Sequence, residues 1–308
     1  MDIGILFAAL PGNIAQGIIW GVMAIGVFLT FKILNFADLT VDGSLATGGA
    51  VTVVLILSGW SAPAALAAAF AAGLVAGLVT GILHTMLGIP DILAGILVQL
   101  ALYSINLNIM GGAANMALSV TQYPLLVSLR YIPRTILVAG GMVLVLICLM
   151  YWYFGTEQGS AIRATGTNPV MSRAQGINID AMKIIALALS NGFVAFSGGL
   201  LAQYQGFSDI NMGRGAIVIG LAAVIIGEVI GQALVGKRMN FMIRPLFVVI
   251  GAIMYYIAIG IVLWLRMPTN NLKMFTAIIV AIFLAVPYLR DKANNSFAKA
   301  GRRGKNTQ

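Results

Sequence analysis

The chain has 308 residues, of which 60% are hydrophobic and only 9% are charged, and its mean hydropathy is +0.98. Soluble domains carry about 25% charged residues, so this composition excludes a soluble fold and predicts an all-α polytopic membrane protein. The formal net charge of +9 is interpreted as a sign of membrane topology, and we expect no nucleic-acid partner.

Nine apolar stretches are candidates for transmembrane helices within a single domain, residues 1–308. The second and fourth are short for a full crossing, which favours broken or re-entrant helices, and a tenth helix could lie in 107–134. With the C-terminal tail inside, nine crossings place the N-terminus outside. The stretches are 12–31, 45–58, 63–84, 89–105, 136–154, 184–203, 215–235, 245–265 and 273–289.

Glycines recur at helical spacing in the first and third stretches. Gly73, Gly77 and Gly81 repeat at every fourth residue, and Gly17 and Gly21 form a similar pair. Small residues at this spacing let two membrane helices approach closely. We therefore expect a packing face on each of these two helices.

Two short segments resemble each other across half of the chain. Residues 36–43 and 207–213 both read Phe, a small residue, Asp, an aliphatic residue, a polar residue and an apolar residue. The distribution of charge places the first segment toward the inside and the second toward the outside. This pattern is typical of an inverted repeat with broken helices.

Polar residues in these two segments are the candidates for a substrate pathway, because a carboxylate at the membrane centre costs about 2.5–3.5 kcal/mol or more unless a partner or a wet cavity receives it. One alternative is that Asp42 or Ser44 caps the second helix. Another is that the second segment is an ordinary outer loop. Asp209 could also pair with Arg214. The pathway residues are Asn35, Asp38, Thr40, Asp42, Ser44, Asp209 and Asn211.

A hydrophilic stretch interrupts the apolar sequence at residues 155–183, here called the central polar loop. It carries Arg163, Arg173 and Lys183, and the tail at residues 290–308 is also basic. Lys and Arg accumulate in cytoplasmic loops, so both segments are placed on the cytoplasmic side. The loop is longer than a hairpin and too polar for lipid, which predicts that it binds another protein.

The sequence predicts no catalysis, metal or nucleotide site. His84 is the single histidine and has no partner at ligand spacing. Cys148 lies in the middle of a span and is expected to be a small buried residue. Residues 231–238 follow the spacing of a phosphate loop until Arg238 stands where Ser or Thr would hold magnesium. We therefore expect no enzyme activity and no cofactor in this chain.

Two motifs carry a family resemblance. Residues 162–169 and 172–178 resemble the cytoplasmic coupling loop of ABC importer permeases, closest to the branched-chain amino acid and ribose permease superfamily. Residues 35–43 are similar to the second-span motif of tryptophan/tyrosine-type importer permeases. The resemblance covers residues 12–290. Arg163 begins the stretch where the classical loop has Glu-Ala-Ala, which weakens any acidic contact to an ATPase.

The resemblance implies a multi-pass protein in the lipid of a bacterial cytoplasmic membrane. A second permease subunit, expected to be identical, would complete the pathway, two cytoplasmic ATPase subunits would carry ATP and Mg²⁺, and an extracytoplasmic binding protein would deliver the substrate. Residues 168–176 would form the coupling helix. The residues assigned to ATPase coupling are Arg163, Gly166, Asn168, Pro169, Arg173 and Gly176.

The implied cargo is a small polar solute, with an aromatic amino acid favoured over a sugar or nucleoside. The alternative function is an ion-coupled secondary transporter, in which the carboxylates would carry protons or sodium. A membrane scaffold without a pathway is a third reading. Glu228, inside an apolar stretch, is expected either to line a path or to bond a neighbouring backbone. The carboxylates available to an ion-coupled carrier are Asp38, Asp42, Asp209 and Glu228.

Overall fold

The computed structural model describes residues 3–236, 241, 243–265, 274–278, 280–282 and 285. These residues form helices joined by short connections and one small two-stranded sheet. The helices are α1 Ile3–Phe28, α2 Thr40–Leu57, α3 Ala62–Thr85, α4 Asp91–Ile109, α5 Ile132–Gly155, α6 Glu157–Thr167, α7 Pro169–Ala174, α8 Ile179–Gln205, α9 Ala216–Val235 and α10 Ile243–Trp264; the π-helical segment Leu29–Leu34 extends α1, and the strands are β1 Asn115–Ala117 and β2 Phe207–Asp209.

Eight helices in the described part of the chain are long and apolar enough to cross a membrane, which confirms the all-α polytopic class. They correspond to the first eight stretches expected from the sequence. The tenth helix considered for 107–134 is absent, since residues 110–131 form β1 and turns. Part of the ninth stretch, 273–289, and all of the tail, 290–308, lie outside the described residues.

Helix boundaries follow local chemistry at several positions. The side chain of Asn178 accepts a hydrogen bond from the backbone of Ala181 (3.1 Å) and so caps α8 at its start. Gly206 ends the same helix with φ +77°, a conformation that glycine adopts without strain. Proline stands in the first turns of α3, α5 and α7, where its missing N–H is not needed.

The glycine row on α3 forms the predicted packing face. A Cβ at Gly73, Gly77 or Gly81 would collide with α8, at Asn191, at Leu187 and at Ile184 respectively. The contacts ascend α3 while they descend α8, so these two helices are antiparallel. Backbones this close exclude intervening side chains.

The glycine pair on α1 does the same against α10. A Cβ at Gly17 would lie 2.6 Å from the Cα of Ile253, and one at Gly21 would lie 2.9 Å from a methyl group of Val249. These two helices are therefore antiparallel as well. The contacts of α3 with α8 thus have a counterpart in those of α10 with α1.

The two halves of the bundle meet between α1 and α8. Ser190 of α8 donates to the carbonyl of Gly26, and Ser197 donates to that of Ile19, each at 2.8 Å. The residue numbers of these contacts increase along α8 while they decrease along α1, so the two helices are antiparallel. The unit α1–α2–α3 and the unit α8–α9–α10 therefore pack in corresponding ways with reversed direction, which supports the predicted inverted repeat.

One expectation about the bundle surface is wrong. Cys148 is exposed on α5 rather than buried. The inner face of α5 is instead formed by larger apolar side chains, among them Val143, Ile147 and Met150. Cys148 lies one position past Ile147 and so points away from the bundle.

Candidate functional site

The chain re-enters the bundle after the π-helical segment, at residues 35–39, here called the inner segment. Asn35 adopts φ +55° and reverses the chain direction, and the N–H of Phe36 donates to the carbonyl of Thr30 (2.9 Å). The buried ring of Phe36 packs edge-on against His84, with centroids 4.9 Å apart. The Nε2 of His84 lies 3.1 Å from the Nζ of Lys183. The inner segment is thereby held to both α3 and α8.

Asp38 is the centre of a buried polar network and is only 1% exposed. Its Oδ1 accepts from the N–H of Thr40 (2.9 Å), and its Oδ2 accepts from Nδ2 of Asn191 (2.6 Å). Asn191 in turn accepts from the hydroxyl of Ser44 (2.6 Å). Both oxygens of the carboxylate have partners, so the network fixes the start of α2 onto the middle of α8.

Thr40 adds a second hydrogen-bonded contact of α2, in this case to α3. Its hydroxyl lies 2.7 Å from that of Thr80, which also donates to the carbonyl of Ala76 (3.2 Å). Both threonines are fully buried. Three of the predicted pathway residues, Asp38, Thr40 and Ser44, therefore lie in helix-to-helix contacts.

Asp42 caps a helix, but that helix is α9 and not its own. Its Oδ2 accepts from the N–H of Gly215 and its Oδ1 accepts from the N–H of Ile217, both at 2.9 Å. Gly213 lies so close to the backbone of Asp42 that no Cβ would fit. The start of α9 therefore meets the start of α2, and one carboxylate stabilises the positive end of α9. Ser44 caps neither helix, because its hydroxyl is bonded to Asn191.

Residues 206–215, here called the outer segment, lead from α8 to this meeting point. Asp209 repeats the local geometry of Asp38, since its Oδ1 accepts from the N–H of Asn211 (2.7 Å). Its Oδ2 lies 3.4 Å from Nδ2 of Asn115 in β1, with which β2 pairs in antiparallel register. The considered ion pair between Asp209 and Arg214 does not form. Asn211 is exposed.

A cavity of about 270 Å³ lies where α2, α4 and the outer segment meet. Asp42 and Arg214 both line it, and among the described residues neither belongs to an ion pair. Gly43 packs onto the middle of α4, since a Cβ there would lie 3.1 Å from the Cα of Gln99. The cavity therefore lies within the membrane-spanning bundle. Its walls are Asp42, Gly43, Ala46, Gln99, Leu100, Tyr103, Asn106, Ile210 and Arg214.

Asn106 lines this cavity but was not among the residues predicted for the pathway. It is 1% exposed, and neither its Nδ2 nor its Oδ1 makes a hydrogen bond to any described residue. A signal was present in α4, because Gln99, Tyr103 and Asn106 follow one another at i, i+4 and i+7 and so share one helical face. The pathway residues predicted from the sequence all came from residues 35–44 and 209–211, so this polar stripe was not considered.

The seven predicted pathway residues thus fall into four groups. Asn35 is exposed at the end of the π-helical segment. Asp38, Thr40 and Ser44 are buried in the network, and Asp209 and Asn211 lie in the outer segment. Of the seven, Asp42 is the one that lines the cavity.

The central polar loop folds into the short helices α6 and α7. Asn168 caps α7 through a hydrogen bond from the N–H of Met171 (3.1 Å), and Pro169 occupies the first position of that helix. Arg173 is exposed, and Gly176 ends the turn with φ +82°. Val170 and Met171 of α7 are 79% and 58% exposed, so α7 presents apolar side chains to its surroundings.

Two further coupling residues bind the loop to the bundle. Gly166 of α6 lies against the backbone of Ile33 and Leu34, and a Cβ there would overlap the Ile33 carbonyl. Arg163 lies over the ring of Phe241, with its guanidinium carbon 5.5 Å from the ring centroid. The loop therefore contacts the π-helical segment immediately before the inner segment.

Glu228 of α9 forms an ion pair with Lys32 of the π-helical segment, with Nζ and Oε2 2.8 Å apart. Neither expectation for Glu228 included this partner. Their separation of 196 positions in the chain left no local signal for the pairing.

Eight helices apolar enough to cross a membrane, two helix starts that meet within the bundle and a polar cavity beside them are typical of a polytopic solute permease. Residues 11–287 match the family described as the branched-chain amino acid transport system/permease component, and the chain belongs to this family. It is a permease subunit of an ABC importer and a multi-pass protein of the cytoplasmic membrane.

Two relatives cover nearly the whole chain. A tyrosine transport system permease protein of Clostridioides difficile is 37% identical over 92% of this chain and 93% of its own length. An uncharacterised protein of Rickettsia prowazekii is 31% identical over 88% of this chain and 94% of its own length. An autoinducer 2 import system permease of Yersinia pestis is 30% identical over only 29% of this chain and 26% of its own. No solved structure matches the chain.

Proposed function

We propose that this permease imports an aromatic amino acid. The observation that carries the proposal is the 37% identity to a tyrosine transport permease over 92% of the chain. The similarity extends over the transmembrane bundle and is not confined to one motif. A pathway through the polar cavity beside Asp42 agrees with this cargo, because amino acids are small and carry both charges.

In this proposal α7 is the coupling helix and binds a cytoplasmic ATPase. Val170 and Met171 supply exposed apolar contacts and Arg173 an exposed positive charge, a composition suited to the centre and rim of a protein interface. The ATPase carries ATP and Mg²⁺. This chain contributes no catalytic group and performs transport.

Movement of the coupling helix reaches the pathway through α6. Gly166 packs directly on Ile33 and Leu34, and the chain then turns at Asn35 into the inner segment. Asp38 joins that segment to α8. A displacement of the central polar loop therefore moves the inner segment, and with it the start of α2 beside the cavity.

A second copy of this chain is proposed to close the pathway. Leu100 and Tyr103 of α4 are 64% and 43% exposed next to the cavity, and Arg214 is exposed beside them. A guanidinium at this depth is unfavourable against lipid. A second subunit packed against this side of α4 would enclose a water-filled pathway and keep Arg214 away from lipid. An extracytoplasmic binding protein would deliver the solute at the opposite end from α7.

The test is tyrosine uptake by the complete importer in proteoliposomes. The chain is purified with its ATPase and supplied with its loaded binding protein, and ATP-dependent entry of labelled tyrosine is measured. We expect uptake that requires ATP and that phenylalanine or tryptophan inhibits. Uptake by the isolated chain under an ion gradient would instead support a secondary transporter, and transport of a sugar or nucleoside alone would refute the proposed cargo.

The coupling role is tested by Arg173→Glu. Reversal of the charge should abolish co-purification of the ATPase, while the matched change Arg134→Glu at the opposite end of α5 should leave it intact. Both arginines are exposed. Normal ATPase binding by Arg173→Glu, with normal uptake, would remove α7 from the proposed interface.

A further inference from the structure

We propose that the cavity between α2, α4 and the outer segment is a binding site for the α-ammonium and α-carboxylate groups of an amino acid in transit. This inference rests on the proposed function and adds the residues that hold the substrate. Asp42 would bind the ammonium group and Arg214 the carboxylate, while Asn106 would complete the hydrogen bonding. The contacts that these three residues make within the folded chain do not by themselves assign them a role in binding.

The first argument is charge. One carboxylate and one guanidinium line the same cavity, and among the described residues they do not pair with each other or with any other charged group. Opposite charges held apart inside a membrane protein are unfavourable unless something bridges them. A zwitterionic amino acid carries both complementary charges on groups attached to one carbon atom and so bridges Asp42 and Arg214 without adding net charge.

The carboxylate of Asp42 retains capacity for such a ligand. Its oxygens accept hydrogen bonds from Gly215 and Ile217, and the backbone of Ala216 contributes as well. A carboxylate has about four lone-pair sites, so it can still accept from an ammonium group. The existing bonds fix the carboxylate in position. The site is therefore preorganised, because the group that receives the ammonium does not have to be immobilised on binding.

The second argument is independent of charge and comes from Asn106. Its amide is 1% exposed, lines the cavity and makes no hydrogen bond within the described part of the chain. A buried amide without partners costs about 1–3 kcal/mol. A ligand with carboxylate oxygens or ammonium hydrogens supplies the missing partners, which explains why a polar residue occupies this position.

The size of the cavity fits a single small solute. Its volume of about 270 Å³ lies just below the range of about 300–1,000 Å³ typical of small-molecule sites. Leu100, Tyr103 and Ile210 add apolar wall next to the polar groups. An amino acid whose backbone lies against Asp42 and Arg214 would place its side chain along this wall.

The experiment compares variants of the complete reconstituted importer supplied with saturating loaded binding protein. Arg214→Gln and Asn106→Leu should each lower the rate of tyrosine uptake about tenfold or more, since bonds to charged groups are worth about 1.5–3 kcal/mol. Arg214→Lys, which keeps the charge but loses the planar fork, should retain more uptake than Arg214→Gln.

Asn106→Leu also separates binding from folding. Removal of an unpartnered buried amide should leave the thermal unfolding temperature unchanged or higher, while uptake falls. The matched control is Thr52→Val, because the hydroxyl of Thr52 is also buried without a partner among the described residues but does not line the cavity. Thr52→Val should resemble Asn106→Leu in stability and the unmodified chain in uptake.

The outcomes distinguish this inference from the proposed function. If the unmodified importer transports no tyrosine, the proposed cargo is wrong. If it transports tyrosine and both Arg214→Gln and Asn106→Leu stay within about twofold of its rate, the cavity does not hold the substrate and the inference is overturned. Loss of uptake with a matching loss of thermal stability in Asn106→Leu would also overturn it, since the amide would then be structural.

Discussion

The inner and outer segments begin with the same local structure and then diverge. In both, an aspartate accepts a hydrogen bond from the backbone N–H two residues later, at Thr40 after Asp38 and at Asn211 after Asp209. Asp38 is buried and bonded to α8, and α2 begins at once. Asp209 is partly exposed, and several residues intervene before α9 begins. One repeat motif therefore serves as a fixed anchor on one side and as a surface turn on the other.

The surroundings of the two segments explain the difference. The inner segment packs against α3 and α8, and α6 contacts the π-helical segment immediately before it. The outer segment begins in β2, which pairs with β1 on the opposite side of the protein. A polar group enclosed by helices must find protein partners, while one near the surface can use water. The motif specifies a turn, and the packing decides whether that turn becomes rigid.

The largest expected effect in this comparison is that of Asp38→Ala. The change leaves the N–H of Thr40 and one N–H of Asn191 without an acceptor, and each unsatisfied buried group costs about 1–3 kcal/mol. We expect a loss of about 2–6 kcal/mol in the free energy of unfolding, measured as thermal unfolding of the purified protein in detergent. Asp38→Asn is the milder control, because its amide oxygen still accepts from Thr40. Equal stability of Asp38→Ala and the unmodified chain would show that the network is not an anchor.

Gly166→Val should have the next largest effect. The added side chain must displace α6 from the carbonyl of Ile33, and overpacking of this kind costs about 1–3 kcal/mol. We expect fewer tyrosine molecules imported per ATP hydrolysed, because the path from the central polar loop to the inner segment is disturbed. Gly155→Val is the matched change, since a Cβ at Gly155 meets nothing within 4 Å. Equal stoichiometry for both variants would separate α6 from coupling.

Asp42→Ala tests where the two repeats meet. It removes the acceptor for two N–H groups at the start of α9, and the loss of a helix cap costs about 0.5–2 kcal/mol. Faster hydrogen exchange should appear in the first turn of α9 and not in the first turn of α2, which retains Asp38. Asp180→Ala serves as the comparison, because Asp180 is exposed in the first turn of α8. Faster exchange in α2 alone would mean that Asp42 caps its own helix after all.

The smallest effect is expected from Asp209→Ala. Asp209 is partly exposed, so water can replace its bonds to Asn211 and Asn115, and the free energy of unfolding should fall by only about 0.5–1.5 kcal/mol. The thermal shift is to be measured beside that of Asp38→Ala under identical conditions. If Asp209→Ala lowered the unfolding temperature as much as Asp38→Ala, the outer segment would be as important for stability as the inner segment, and the proposed difference between them would be wrong.

Sequence patterns with short periods were sufficient for much of the fold. The glycine row on α3 and the pair on α1 were identified from a four-residue spacing, and both lie at close helix contacts. The relation between residues 36–43 and 207–213 was visible because both turns use the same local hydrogen bond. Information of this kind is carried by neighbours in the chain, so it can be read without a structure.

The partners within the site could not be predicted in this way. Asn191 lies 153 positions from Asp38, and Lys32 lies 196 positions from Glu228, so only the packed bundle brings them together. Asp209 and Arg214 are close in sequence and remain unpaired. Proximity in the chain suggested the wrong ion pair there, because the outer segment directs Arg214 to the cavity wall.

The glycine contacts of α3 with α8 and of α1 with α10 restrict how the protein can move. Backbones in direct contact leave no layer of side chains that could slide or change rotamer, and hydrogen bonds from Ser190 and Ser197 join the two pairs. We therefore expect these four helices to move as one rigid unit. We expect the movement that opens the pathway to lie outside these four helices. Helix α4, which carries Gln99, Tyr103 and Asn106, would then move together with the start of α2, against which it packs through Gly43 and Gly95.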